Sequence, residues 1–279
     1  MAHREQDQLL WQGRSRFTGQ AIAAVLTGLD TRSTNRKTGP MAQVWIIPVL
    51  LAPMAAVRAG YDTAVCGMCA LRPLLKRMAR RMVATITQTK PCYVDVTKAP
   101  LAVWRRLTRG GYPPGQGGTF RRPVRIGAWG DGAALPLTVV RALIARCAQG
   151  WTAYTSHWHR RPGLRPFFMA SVKSLAEAET AWRRGWRTFR VLAPDEAPKP
   201  WEIHCPAGEE GGKRTTCAAC LLCNGLAGKV LTQTTLTHLM RQYHRRPIDA
   251  HWRSLVDPRK SIVIHAHGGG KRPPRSTHV

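Results

Sequence analysis

The stretch Val124 to Thr155, VRIGAWGDGAALPLTVVRALIARCAQGWTAYT, decides the fold. It opens on a short apolar run, Val124 to Trp129, and breaks at Gly-Asp-Gly. It then carries apolar residues at helical spacing through Leu135 to Ala148, stops at Gly150 and resumes as a second apolar run, Trp151 to Thr155. Short apolar runs that alternate with helical stretches mark parallel strands joined by crossover helices. The same alternation repeats on either side. Further strands are expected at Val44 to Pro48, Cys92 to Val96, Phe167 to Val172, Trp186 to Leu192 and Ser261 to His265, with a helix at Ser174 to Arg184 and another near Thr232 to Tyr243. Ser174 with Glu177 three residues on forms a capping box, and Gly185 stops that helix. No G-x-G-x-x-G fingerprint follows any strand, so the expected fold is an α/β chain closing as an incomplete or irregular (β/α) barrel with inserted cysteine-rich metal-binding loops.

The barrel-like domain is expected over residues 40–267, with cysteine clusters at 66–92 and 205–223. Residues 1–39 hold one apolar-periodic piece, Ala21 to Leu29, and then a polar run without periodicity, which predicts a basic N-terminal arm. Gly110 to Gly118 is too rich in Gly and Pro for regular structure, and residues 268–279, containing GGGKRPPR, predict a disordered basic tail.

The chain has 279 residues with 43 Lys and Arg against 15 Asp and Glu, a formal charge of +28. A field of that size attracts polyanions, which makes nucleic acid the natural partner, through distributed Arg and Lys; an Arg-, Ala- and Gly-rich composition also arises in GC-rich genomes without selection for binding. The basic residues form no single amphipathic face, and the most apolar stretch, Val44 to Val57, is interrupted by Pro48 and Pro53, so no membrane association is expected. Glu5 and Asp7 stand where a signal peptide would be basic and then apolar, and a cytoplasmic location in a bacterial host cell is expected. Ten tryptophans, many beside Arg, suit either core packing or base stacking, with the core the better reading for most.

Chemistry concentrates in the cysteines. Cys205-x11-Cys217-x2-Cys220-x2-Cys223 lies in the polar, Gly-rich segment CPAGEEGGKRTTCAACLLCNG. Two successive x2 spacings let a tight loop point several thiolates at one centre, which suits an iron–sulfur cluster (4Fe–4S) or zinc. Cys66-x2-Cys69 with the distant Cys92 offers a second set of three ligands, completed by a histidine at a structural zinc or left open at one iron. Cys147 falls on the apolar side of a helix and is expected in the core. In a barrel, loops after the strands carry function. Asp131, His157 and Ser171 each follow or end an expected strand and are the candidate catalytic residues; His159, Lys173, His265 and His267 fall in similar places. Both cysteine groups are expected near one mouth, Cys205 more directly than Cys92.

The segments CGMC, CYVDVTKAPLAVWR, RIGAWGDGAALP, WTAYTSHW, MASVKSLAEAETAWRRGWRTFRV and CPAGEEGGKRTTCAACLLCNG, in this order, resemble the bacteriophage family known as gene product 88, over roughly residues 37 to 267. Parts are also similar to radical-SAM barrels, although the C-x3-C-x2-C hallmark is replaced here by Cys66-x2-Cys69 and Cys92. The resemblance implies a phage- or plasmid-encoded protein, and the radical-SAM likeness implies S-adenosylmethionine at an open iron.

Three functional expectations follow. One is a metal- or iron–sulfur-binding basic protein associating with nucleic acid in genome replication or modification. The second is a radical-SAM-like enzyme acting on a small molecule, and the third is a zinc-stabilised structural binding module. No P-loop, kinase set, paired-carboxylate motif or nucleophile elbow names a reaction, and nothing in the sequence fixes an oligomeric state.

Overall fold

A computed structural model describes residues 6–72, 75–76, 85–86, 92–192, 196–199, 202–226 and 261–265. The expected helix at Thr232 to Tyr243, the basic tail and His267 lie outside the described residues.

The described chain is built on a nine-stranded, mostly parallel sheet. Its strands are β1 (Gln8–Arg14), β2 (Ala21–Thr27), β3 (Ala42–Pro48), β6 (Val124–Ile126), β7 (Trp151–Thr155), β8 (Met169–Val172), β9 (Thr188–Leu192), β10 (Glu202–His204) and β11 (Ser261–His265); the short β4 (Leu75–Lys76) and β5 (Thr85–Ile86) pair only with each other. The spatial order is β1-β2-β3-β6-β7-β8-β9-β11-β10, in which β2 alone runs antiparallel to its neighbours.

From β3 to β9 each strand is laid down beside the one before it, always on the same side. This is the winding of a (β/α) barrel, and right-handed crossovers then place every connecting helix on one face. The helices obey this. Buried residues of α1 (Pro53–Ala59), α3 (Ala99–Thr108), α4 (Leu137–Ala145) and α5 (Leu175–Arg183) all enter one core with the strand residues Val44, Ile46, Val124, Ile126, Trp151, Ala153, Ala170 and Val172.

The sheet nevertheless stays open, and the expected barrel is corrected here. Residues 8–27, expected as part of an arm, form the β1–β2 hairpin, and β2 occupies the outer edge of β3 from Ile22↔Pro48 to Thr27↔Gln43. A closing strand would need that edge. At the other end β11 slots between β9 and β10 and reverses the winding.

The opening stretch behaves as a β-α-β unit with one refinement. After Ile126 the chain bulges at Gly127 (φ 85°), so that Gly127 N and Ala128 N both donate to Val44 O, and pairing resumes where Ile46 N donates to Trp129 O. Helix α5 starts as expected: Ser174 Oγ accepts from Glu177 N at 3.1 Å, while Glu177 Oε2 reaches back to Lys173 N at 2.8 Å. Cys92 to Val96 is not a strand. Both edges of β3 are taken by β2 and β6, and Asp95 Oδ1 instead accepts from Thr97 N and Thr97 Oγ1, turning the chain into α3.

Candidate metal centres

The opposite face of the sheet carries a smaller apolar cluster in which Met169, Phe189, Ile262 and Tyr154 meet Cys205, Ala207, Cys217, Leu222 and Cys223. Cys205 follows β10, where its N–H extends the ladder by donating to Val263 O at 2.9 Å. The loop after it folds tightly back: Gly208 N donates to Cys205 O at 2.8 Å, and a Cβ on Gly211 would come within 2.1 Å of that carbonyl. The other three cysteines come from α6 (Cys217–Cys220) and the turn after it, with Thr216 as N-cap. Cys217 N donates to Lys37 O and Ala218 N to Thr38 O, which anchors α6 ahead of β3.

The following turn inserts beside β7. Ala153 N donates to Cys223 O at 2.7 Å, Asn224 Nδ2 donates to Leu221 O at 3.1 Å, and Arg187 Nη1 donates to Leu222 O at 2.7 Å. Strand β8 pairs with β7 only from Tyr154 onward, so the Cys223 segment supplies the partner that Ala153 lacks.

Every pair among Cys205, Cys217, Cys220 and Cys223 is within electrostatic reach. Burial pushes the Cys223 thiol well up, with its three neighbours adding to the effect, and burial likewise raises Cys217 and Cys220. Thiols raised in this way are neutral by themselves and release their protons when a metal binds. Among the described residues no group of three or more His, Cys, Asp and Glu side chains is arranged so that it could hold a metal ion.

The second group assembles where β3, β6 and β7 end. Helix α2 (Thr63–Cys66) leads into CGMC, and Cys66 feels Asp62, Cys69, Cys92 and Asp131, all of which add to burial in raising its thiol. The loop is fastened from several sides. Arg72 grips Asp62 through two bonds of 2.8 and 2.7 Å and donates to Gly67 O at 2.9 Å. Ser15 Oγ, from the β1–β2 hairpin, donates to Ala64 O at 2.6 Å, and Asp131 N donates to Val65 O at 2.7 Å. Ser156 Oγ donates to Cys69 Sγ at 3.3 Å.

Asp131 and His157 come together here. Asp131 is buried; its Oδ1 accepts from Ala133 N and its Oδ2 from Ser156 N, each at 2.9 Å. Burial raises its carboxyl, opposed first by His157 and then by these hydrogen bonds. His157 Nε2 faces Cys66 O at 3.0 Å, so this nitrogen carries the proton and donates, and the ring lies against Phe17 at 4.3 Å between centroids. Both residues therefore hold the cysteine loop in place. Ser171 does not join them: it sits within β8 between Ala170 and Val172, which enter the helix-side core, and no hydrogen bond ties it to Asp131 or His157. Cys147 is buried in the helix-side core as expected.

Cys92, which could have lain at the opposite end, is with the Cys66 group, and Cys205 directly follows a parallel strand as expected. Cys92 joins Cys66 and Cys69, whereas Cys205 stays with its own group on the open face. One link connects them. Tyr93, next to Cys92, accepts a hydrogen bond from Arg125 Nη2, and Arg125 lies within electrostatic reach of Cys217. Sequence reasoning missed Ser15, Phe17, Asp62, Arg72 and Arg125, whereas Ser156 falls within Thr155 to His159, a stretch expected to follow a strand at the site. Only Arg125, a charge inside an otherwise apolar strand, carried a local signal.

The chain matches no protein-family model, no curated protein and no solved structure. No helix among the described residues is long and apolar enough to cross a membrane.

Proposed function

We propose that the chain is a metal- or iron–sulfur-binding basic protein, phage- or plasmid-encoded, that associates with nucleic acid in genome replication or modification. What supports the metal half is the packing of Cys205, Cys217 and Cys223, which come from two separate segments, in one cluster on the sheet, with Cys220 at x2 spacing between the last two. A four-thiolate set leaves no ligand position free, which suits a structural centre binding zinc or a cluster. The nucleic-acid half rests on the charge of +28.

A second reading, an enzyme with an open-iron cluster, is favoured by the position of Cys66, Cys69 and Cys92. These three thiols lie at the C-terminal edge of parallel strands, the edge at which α/β folds place their chemistry. Cys66, Cys69 and Cys92 would hold the cluster, which when bound supplies a coordination position for a cofactor such as S-adenosylmethionine. Asp62, Arg72, Asp131 and His157 then keep the loop in shape.

Anaerobic purification with an absorption spectrum and with iron, sulfide and zinc analysis tests both readings. Metal lost in Cys217→Ala, Cys220→Ala and Cys223→Ala, together with a lowered melting temperature, supports the four-thiolate centre. Full metal content and unchanged stability in all three overturn it. Iron and sulfide lost in Cys66→Ala support the second reading, and zinc alone in the intact chain rejects it.

A further inference from the structure

The basic residues are dispersed in sequence, but the fold gathers some of them. Ser15, just past β1, is buried and held inward by the bond from its Oγ to Ala64 O, and Arg14 and Arg16 on either side of it are exposed. The turn after β7 brings two more. Arg160 N and Arg161 N both donate to His157 O at 3.0 Å, and the His157 ring lies against Phe17, next to Arg16. Arg160 is exposed, whereas Arg161 is half-buried and donates through Nη1 to Ala133 O at 2.5 Å and through Nη2 to Leu135 O at 3.0 Å. The carbonyl between those two, Ala134 O, accepts from Arg16 N at 2.8 Å. Three successive carbonyls beyond the Gly-Asp-Gly turn therefore fasten both arginine segments side by side.

No carboxylate accompanies them. Among the described residues none of the ion pairs includes Arg14, Arg16, Arg160 or Arg161. Burial and then Arg16 disfavour the charge on Arg161, and Asp131 offsets this in part. The Asp131 oxygens are themselves taken by Ala133 N and Ser156 N. Like charges so placed repel one another, and backbone bonds hold them together in spite of it. Arg161 spends two of its five N–H donors on carbonyls, which fixes the guanidinium and leaves the other three for a ligand. Fixed, unpaired guanidinium groups are what phosphate recognition requires.

We propose that Arg14, Arg16, Arg160 and Arg161 form the patch at which this chain grips the phosphate backbone of a nucleic-acid strand. This rests on the nucleic-acid reading and needs no metal. Several guanidinium groups drawn from two segments suit a row of phosphates better than a single one, and the charge of +28 brings such a polyanion to the surface. The patch also adjoins the Cys66 loop, since His157, whose carbonyl holds Arg160 and Arg161, faces Cys66 O through its ring at 3.0 Å. A strand held there lies beside the Cys66 and Cys69 thiols.

The test compares two pairs of substitutions that remove the same charge from exposed arginines. Arg16→Gln with Arg160→Gln strips the patch, and Arg105→Gln with Arg109→Gln strips the end of α3. Affinity for a labelled mixed-sequence oligonucleotide is read by fluorescence anisotropy over a range of salt, with melting temperatures confirming that both variants fold. The patch pair should lose about 10-fold or more in affinity at 0.1 M salt, and the slope of log K against log salt should shrink by about one per arginine. The α3 pair should lose no more than about 3-fold, as a diffuse field predicts. Arg16→Lys with Arg160→Lys should keep most of the slope. Equal losses in the two Gln pairs overturn the patch while nucleic-acid binding stands. Lost binding of inorganic phosphate in the patch pair, with oligonucleotide affinity unchanged, overturns it in favour of a small phosphorylated ligand. A wild type that binds no oligonucleotide at low salt overturns the patch and the nucleic-acid reading together.

Discussion

At the scale of single residues, the Cys66 loop depends on small and polar neighbours that hold it from beneath. Gly67 has φ 55°, and a Cβ there would stand 2.5 Å from the His157 ring. Both the backbone and the packing therefore require glycine at this place. Gly67→Ala should lower stability by about 1–3 kcal/mol, through the strained dihedral and the displaced imidazole, and should reduce metal retained by Cys66 and Cys69. Thermal unfolding together with metal analysis checks this, and unchanged values of both would remove His157 from its role as the loop's support. The roles expected of Asp131 and His157 were legible only as candidates. The His157 ring reaches Cys66 O, whereas Asp131 reaches the loop through its backbone N–H to Val65 O and spends its carboxylate on Ala133 N and Ser156 N, contacts that depend on segments arriving from other parts of the chain.

At the scale of elements, local signals and long-range ones separate cleanly. Helix α5 was readable because its cap lies within three residues of sequence: Ser174 Oγ binds Glu177 N. Ser174→Ala should cost about 1 kcal/mol in chemical denaturation, and Ser174→Asp should cost little. Strand β10 was not anticipated, since three residues carry too little periodicity to stand out. What holds it is a buried ion pair reaching across β11: Arg190 of β9 donates through Nε to Glu202 Oε1 at 2.7 Å and through Nη2 to Glu202 Oε2, with both side chains fully buried. Glu196 adds a second carboxylate to the same guanidinium. Glu202→Ala leaves a buried arginine with part of its compensation gone, and should destabilise the chain by about 3 kcal/mol in urea. Replacing Arg190 and Glu202 together by apolar residues should recover much of that loss. If the single substitution costs under about 1 kcal/mol, the pair does not pin β10.

At the scale of the whole molecule, the charge of +28 is spread along the chain instead of concentrated in one segment. Binding to single- or double-stranded nucleic acid should therefore weaken steeply with salt, with log K falling by about 0.9 per duplex phosphate neutralised for each unit of log salt. Truncation before Lys271 should reduce affinity only modestly. Absence of binding at low ionic strength would leave the charge a product of composition and remove nucleic acid as the partner. Metal at the four thiols should also act on the whole fold, because Cys205 extends the edge next to β11 while Cys217 is anchored to Lys37 and Cys223 to Ala153 of β7. An ion bound there would tie these distant parts of one sheet together.

The sequence by itself determined what depends on near neighbours: the alternation of strand and helix, the cap and the glycine stop of α5 and the x2 spacing of the cysteines, whereas α4 ends at Ala145, short of Gly150. Periodicity and capping act over one or two turns, so they can be read without knowing what lies across the core. Tertiary structure alone decided closure and company. Whether the winding from β3 to β9 ends as a barrel or an open sheet depends on which strand takes the free edge of β3, and that edge went to β2, from residues whose polar surroundings suggested an arm. In the same way Cys92 found Cys66 and Cys69, and Arg125 found Cys217, because the order of strands in space brings together residues that no local spacing relates.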